Sequence, residues 1–98
     1  MKKYYSDYVR HCTRQYFNIQ SAPSAINDRV TFNNYISVSN VLDKYSTADQ
    51  VLLKSIYTSE SMQKSVEQYA FKMGVKTEQV WYIIQTYEKQ VAMERGLL

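Results

Sequence analysis

Between Ser65 and Leu98 the apolar positions fall into two helical stripes that meet at a glycine. Val66, Tyr69, Ala70 and Met73 recur at i, i+3, i+4 and i+7, a spacing that stacks them on one helical face. Gly74 stands where a helix end needs a residue tolerant of positive φ, followed by Val75, which is expected to be buried in the turn. Thr77 is placed to cap a second helix, whose stripe is Val80, Ile83, Ile84, Tyr87 and Val91. A short helix, a glycine turn and a second helix entering at an angle read as a helix-turn-helix. Ala70 suits a close crossing of the two, where a larger side chain would hold them apart. Gly96 ends the last helix, with Leu97 folding back on the preceding turn.

Upstream, residues 3–17 read as a helix with Tyr5, Tyr8, Val9, Cys12 and Tyr16 on one face. Asn18 to Asn27 contains the only proline among clustered Ser, Asn and Ala, and reads as a loop. Asn27 or Asp28 then caps a helix to about Tyr45. That helix is apolar on two sides, with Tyr35, Val38, Val41, Leu42 and Tyr45 on one and Phe32 and Ile36 on another. Such a pattern predicts a helix sandwiched between neighbours, here at the centre of the molecule. Ser46-Thr47-Ala48-Asp49 is a helix start, and the helix through Tyr57 is expected to bury Leu52, Ile56 and part of Val51. Thr58 to Ser61 is a polar turn. The reading is therefore all-α, about five helices in one domain: an N-terminal pair over 1–46 and a three-helix unit over 47–98 packed on it.

Composition sharpens this picture in three places. Ten tyrosines bring large rings whose hydroxyls seek partners, which predicts a polar-edged core or aromatic contact surfaces. One cysteine excludes an internal disulfide and fits a reducing cytosol. Met-Lys-Lys leads into Tyr, Tyr, Ser and Asp rather than an apolar run, and no stretch approaches the ~20 apolar residues of a membrane span. A cytoplasmic protein without a membrane partner is expected.

The formal charge of +3 is unevenly spread. Residues 1–46 hold six basic residues (Lys2, Lys3, Arg10, Arg14, Arg29, Lys44) against three acidic ones. Residues 47–98 hold six of each, so phosphate contacts there must come from a few placed lysines. Lys3, Arg10 and Arg14 share one side of the first helix. That stripe is either a phosphate-contacting edge or a solvated face partly neutralised by Asp7.

The candidate chemistry is that of recognition, not catalysis. On the last helix the side away from Val80 and Ile84 presents Glu78, Gln79, Tyr82, Gln85, Thr86 and Lys89, with Trp81 at one border. Gln can pair bidentately with adenine, and Thr or Tyr can meet phosphates or a thymine methyl. Lys76, Thr77, Gln79, Tyr82, Gln85 and Lys89 thus form a candidate DNA-recognition surface. Lys64 and Lys72 would hold the DNA backbone, and Arg10 and Arg14 could act only through phosphates. Exposed aromatics beside uncharged polar residues equally suit a protein interface. His11 next to Cys12 makes no metal pair, because neighbours on a helix diverge by about 100° and no second histidine exists. There is no Gly-rich phosphate loop and no carboxylate pair with an identifiable base, so a non-enzyme without cofactor or metal is expected.

The run Val66-Tyr69-Ala70-Met73-Gly74-Val75, followed by Val80 and Ile83, resembles the DNA-binding region four of bacterial sigma factors over roughly residues 47–95. The Tyr-rich start and the Ala92-Met93-Glu94-Arg95-Gly96-Leu97 ending make the whole chain resemble small phage-encoded regulators of the ArpU/RinA type. The sequence departs from the sigma pattern in having Lys76 alone near the turn, before Lys89. The resemblance implies a transcriptional regulator that reads double-stranded DNA with the helix from Thr77. A single neutral unit makes too few phosphate contacts for tight binding, so a homodimer or RNA polymerase is expected to supplement it. The alternative is a non-enzymatic interaction module, using the helix-turn-helix as a docking or oligomerisation scaffold in phage packaging or regulation.

Overall fold

The computed structural model describes residues 3–98, so Met1 and Lys2, the first of which opens the leader reading and the second of which enters the basic excess, lie outside the described residues. Five α-helices follow one another: α1 (Ser6–Ser21), α2 (Arg29–Leu42), α3 (Thr47–Tyr57), α4 (Met62–Met73) and α5 (Thr77–Glu94). A single 3₁₀ turn, Pro23–Ala25, lies in the α1–α2 connection. No strand occurs among the described residues.

The helix ends follow from short-range chemistry. α1 begins at Ser6 because Lys3 to Ser6 closes a turn, the Lys3 N–H donating to Ser6 Oγ at 3.1 Å. It runs past residue 17 because Ile19 is buried, and it stops before Pro23, whose ring disfavours the helical conformation at Ala22. Asp28 caps α2 by accepting the Thr31 N–H at 2.7 Å. Ser46 caps α3 through Asp49, and Ser61 caps α4 through Lys64. Gly74 and Gly96 adopt φ of 68° and 80°, the left-handed region that ends helices. Val75 N–H and Leu97 N–H then reach back to the carbonyls of Ala70 and Ala92.

The core is a single cluster drawn from all five helices, with Val9, Val38, Leu53, Ile56, Tyr57, Val66, Ile84, Tyr87 and Val91 fully inside. α1 packs on α2, α3 and α5, and α5 on α1, α2 and α4. By contrast, α2 meets only α1 and α5 in this way and is not enclosed on both its apolar sides. This corrects the expected sandwich. α2 uses one broad face for both α1 and α5, and its second apolar side, Phe32 and Ile36, is exposed. α2 also ends at Leu42 rather than Tyr45, since Asp43 and Lys44 form the turn into the Ser46 cap.

Other expectations shift in the same manner. Val51 is exposed, while Leu53 and Tyr57 take the buried positions on α3. Met73 lies beyond the reach of its partner helix and is exposed. Val75 is 40% exposed, so the turn holds no buried valine. Val80, Ile84 and Ala70 are buried as the stripes predict, and Tyr69 is half-buried.

The tyrosines do build a polar-edged core. Tyr57 sits beside Tyr87 with ring centroids 5.6 Å apart, and Tyr45 meets Tyr87 edge-on at 6.0 Å. The buried hydroxyls find partners: Tyr87 with Thr13 Oγ1 at 2.8 Å, and Tyr57 with Glu88 at 2.7 Å. Asn34 binds α1 and the end of α5 to α2, accepting from Tyr8 and Arg95 and donating to Gln15. Among the described residues no buried side-chain polar atom lacks a partner. No helix among them is long and apolar enough to cross a membrane.

Candidate nucleic-acid interface

The start of α5 is set by the turn before it. Gly74 supplies the positive φ, and Lys76 then swings back to an extended conformation as the residue that caps α5. The cap is therefore Lys76, not Thr77, which is the first helical residue. Lysine has no acceptor to offer the helix, so the junction is tied from the other direction. Gln79 Oε1 accepts the Lys76 N–H at 3.0 Å, one half of a capping box. Gln79 is exposed, but its carbonyl oxygen is already engaged.

From this start α5 exposes Gln79, Tyr82, Gln85 and Lys89, with Thr77 half-covered. Tyr82 is 70% exposed and lies between Gln79 and Gln85 around the helix. Lys64, Lys72 and Lys76 are exposed on α4 and the turn. Neither they nor Lys89 take part in an ion pair among the described residues.

The predicted surface divides in two. Thr77, Tyr82, Gln85 and Lys89 form one wall of a groove of about 790 Å³ whose opposite wall is the beginning of α1, including Lys3, Tyr5 and Arg10. Glu78, Trp81 and Thr86 complete the α5 wall. Lys76 and Gln79 lie outside the groove, and Lys64 and Lys72 belong to α4.

The floor of the groove holds the residue that sequence reasoning missed. Glu88 is 2% exposed, and its Oε2 accepts the Arg10 Nε–H at 2.8 Å and the Tyr57 hydroxyl at 2.7 Å. The only available signal is positional: Glu88 stands four residues after Ile84 and three before Val91, beside the apolar stripe. Burial tends to lower the Arg10 pKa, but the hydrogen bond and charge of Glu88 outweigh it and hold the guanidinium more firmly charged. Burial, reinforced by the neighbouring Glu88 charge, raises the Tyr57 phenol well above its ordinary range. Arg10 is thus not a solvated stripe residue: its charge is matched by Glu88 at the groove. Arg14 is exposed, yet its Nε–H donates to the Tyr57 carbonyl at 3.2 Å, closing the end of α3. The two arginines tie α1 to the C-terminal helices.

Among the described residues no three His, Cys, Asp or Glu side chains gather in a way that could hold a metal ion. Cys12 is buried, and burial pushes its thiol up to about 11, far from the range of a reactive thiolate. No family model matches the chain, and neither the curated proteins nor the solved structures include one significantly similar to it.

Proposed function

We propose that this chain is a small, non-enzymatic DNA-binding regulator that contacts duplex DNA with the α4–turn–α5 edge, the start of α5 entering the major groove. The observation carrying this reading is the set of unpaired cations around uncharged hydrogen-bonding side chains. Among the described residues Lys64, Lys72, Lys76 and Lys89 take part in no ion pair, and Gln79, Tyr82 and Gln85 are exposed on the same two-helix unit. Unpaired lysines contribute affinity by displacing counterions from phosphates, while Gln85, and Gln79 once its oxygen leaves the Lys76 N–H, can read base edges. The resemblance to sigma region four and to ArpU/RinA-type phage regulators supports the same reading, with a cytoplasmic site of action. Four lysines make few phosphate contacts, so a second copy or RNA polymerase supplements the affinity. A titration against mixed duplex DNA at two salt concentrations tests it. Binding with a logarithmic salt slope of roughly −3 to −4 is expected for four contacts. No binding at low salt contradicts it.

A specific observation favours a second reading, a protein-docking scaffold. Phe71 is 92% exposed, and Met73, Val75 and Tyr82 are also exposed around the same turn. Large apolar side chains gathered at one edge suit a protein partner. Under this reading Phe71→Ala abolishes partner capture and leaves any DNA binding unchanged.

A further inference from the structure

The outward side of α2 carries apolar residues at mid-helix that no other helix covers. Phe32 and Ile36 are exposed there, and Asn33 and Asn40 flank them. Ile36 is the centre of the arrangement. Arg29 lies seven residues before it and Asp43 seven after, both exposed and, by the 3.6-residue repeat, on the same side of the helix. The charges at these mirrored positions, Arg29 and Asp43, are opposite in sign.

Within one chain these charges cannot meet. Fourteen residues of helix separate Arg29 from Asp43 by about 21 Å. Neither is in an ion pair or a side-chain hydrogen bond among the described residues. A two-fold axis at Ile36 brings these two to a complement: two copies of α2 laid antiparallel across that axis place Arg29 beside the partner copy's position 43. Ile36 then packs on its symmetry mate with Phe32 beside it. A shallow depression lined by Ile26, Asn27, Asp28, Arg29, Phe32 and Asn33 lies at the start of α2, at the edge of this face.

We propose that this face of α2 pairs with the same face of a second copy, giving an isologous antiparallel dimer centred on Ile36. The inference uses neither the lysines nor the glutamines of the α4–α5 edge and stands whether that edge meets DNA or protein. The face is small and its core holds two apolar residues per copy, so the association is concentration-dependent.

Sedimentation velocity over a concentration series of the whole chain and its variants is the test. The wild type is expected to shift from monomer to dimer as concentration rises. Ile36→Lys places two like charges at the axis and leaves a monomer throughout. Arg29→Asp and Asp43→Arg each weaken self-association roughly tenfold by setting like charges opposite one another. Both reversals also favour the helix dipole, so helicity by circular dichroism is expected to persist. Mixing the two single reversals restores complementarity and yields a heterodimer, and the double reversal in one chain restores the homodimer. A wild type that remains monomeric at every concentration overturns the proposal. So does a dimer whose mass is indifferent to Ile36→Lys, or a mixture of the two reversals that forms no heterodimer.

Discussion

The Nε–H of Arg10 on α1 and the Oε2 of Glu88 on α5 lie 2.8 Å apart across 78 residues of chain. Tyr57 of α3 donates to the same oxygen, so one buried carboxylate fastens three helices. A carboxylate at 2% exposure is tolerable only because both partners are in place.

Removing one partner is therefore costly, and removing both ends less so. Arg10→Met leaves Glu88 charged with only a phenol to answer it and is expected to cost about 3 kcal/mol. The double variant Arg10→Met, Glu88→Leu is expected to recover most of that loss. Urea denaturation of the two variants and the parent provides the comparison. Equal losses in the single and double variants would mean that the pair carries no coupling.

Alkali attacks the same region. Burial raises the phenol of Tyr57, with Glu88 adding to the effect, and burial likewise raises Tyr87. Because the folded pKa values lie above those of the unfolded chain, the stability from these groups is complete below about pH 10 and is lost as pH rises beyond it. Unfolding should therefore accompany the late part of the tyrosinate absorbance titration. Tyr57→Phe costs roughly 1–3 kcal/mol at neutral pH, since Glu88 loses a donor, but makes the alkaline decline shallower. A decline as steep as the parent's would contradict this assignment.

At the α4–α5 junction the limits are steric and conformational. Ala70 is buried beneath the turn, and Ala70→Leu is expected to overpack it at a cost of roughly 1–3 kcal/mol. Gly74→Ala meets no atom within 4 Å at the new Cβ, so its cost is the left-handed backbone alone, about 1–2 kcal/mol. Thermal melts distinguish the two origins. Gly74→Asn should regain part of the second loss, and no change in Ala70→Leu would show that the site has room.

How much of this was legible in the chain depends on the range of the interaction. Helix number, the caps at Asp28 and Ser46, and the glycine ends at Gly74 and Gly96 are local chemistry, and each is found where the pattern predicts it. Burial of Val80 and Ile84 followed from the stripe. What escaped depends on which helix lies opposite. The wheel shows Phe32 and Ile36 as an apolar side but cannot say that no helix covers them. It shows Met73 and Val75 near the turn but not that α5 has already bent away. It gives Arg10 a basic face, and only the antiparallel approach of α1 and α5 reveals Glu88 beneath it. In the candidate interface, exposure of Lys64, Lys72, Lys76, Gln79, Tyr82 and Gln85 was readable. The opposite wall contributed by Lys3 and Tyr5 was not, because it comes from the far end of the chain.

The central claim is that unpaired lysines on the α4–α5 edge hold duplex DNA. Its most direct measurement is the salt dependence of duplex binding by fluorescence anisotropy, for the parent and for Lys72→Gln, Lys76→Gln together. Both residues are exposed and in no ion pair among the described residues, so the fold is expected to tolerate the change. If each lysine displaces one counterion equivalent, the logarithmic slope should become shallower by roughly 1.8. Affinity should fall on every duplex alike, since phosphate contacts carry no sequence information. An unchanged slope and affinity, or a parent that binds no duplex at low salt, would contradict the claim.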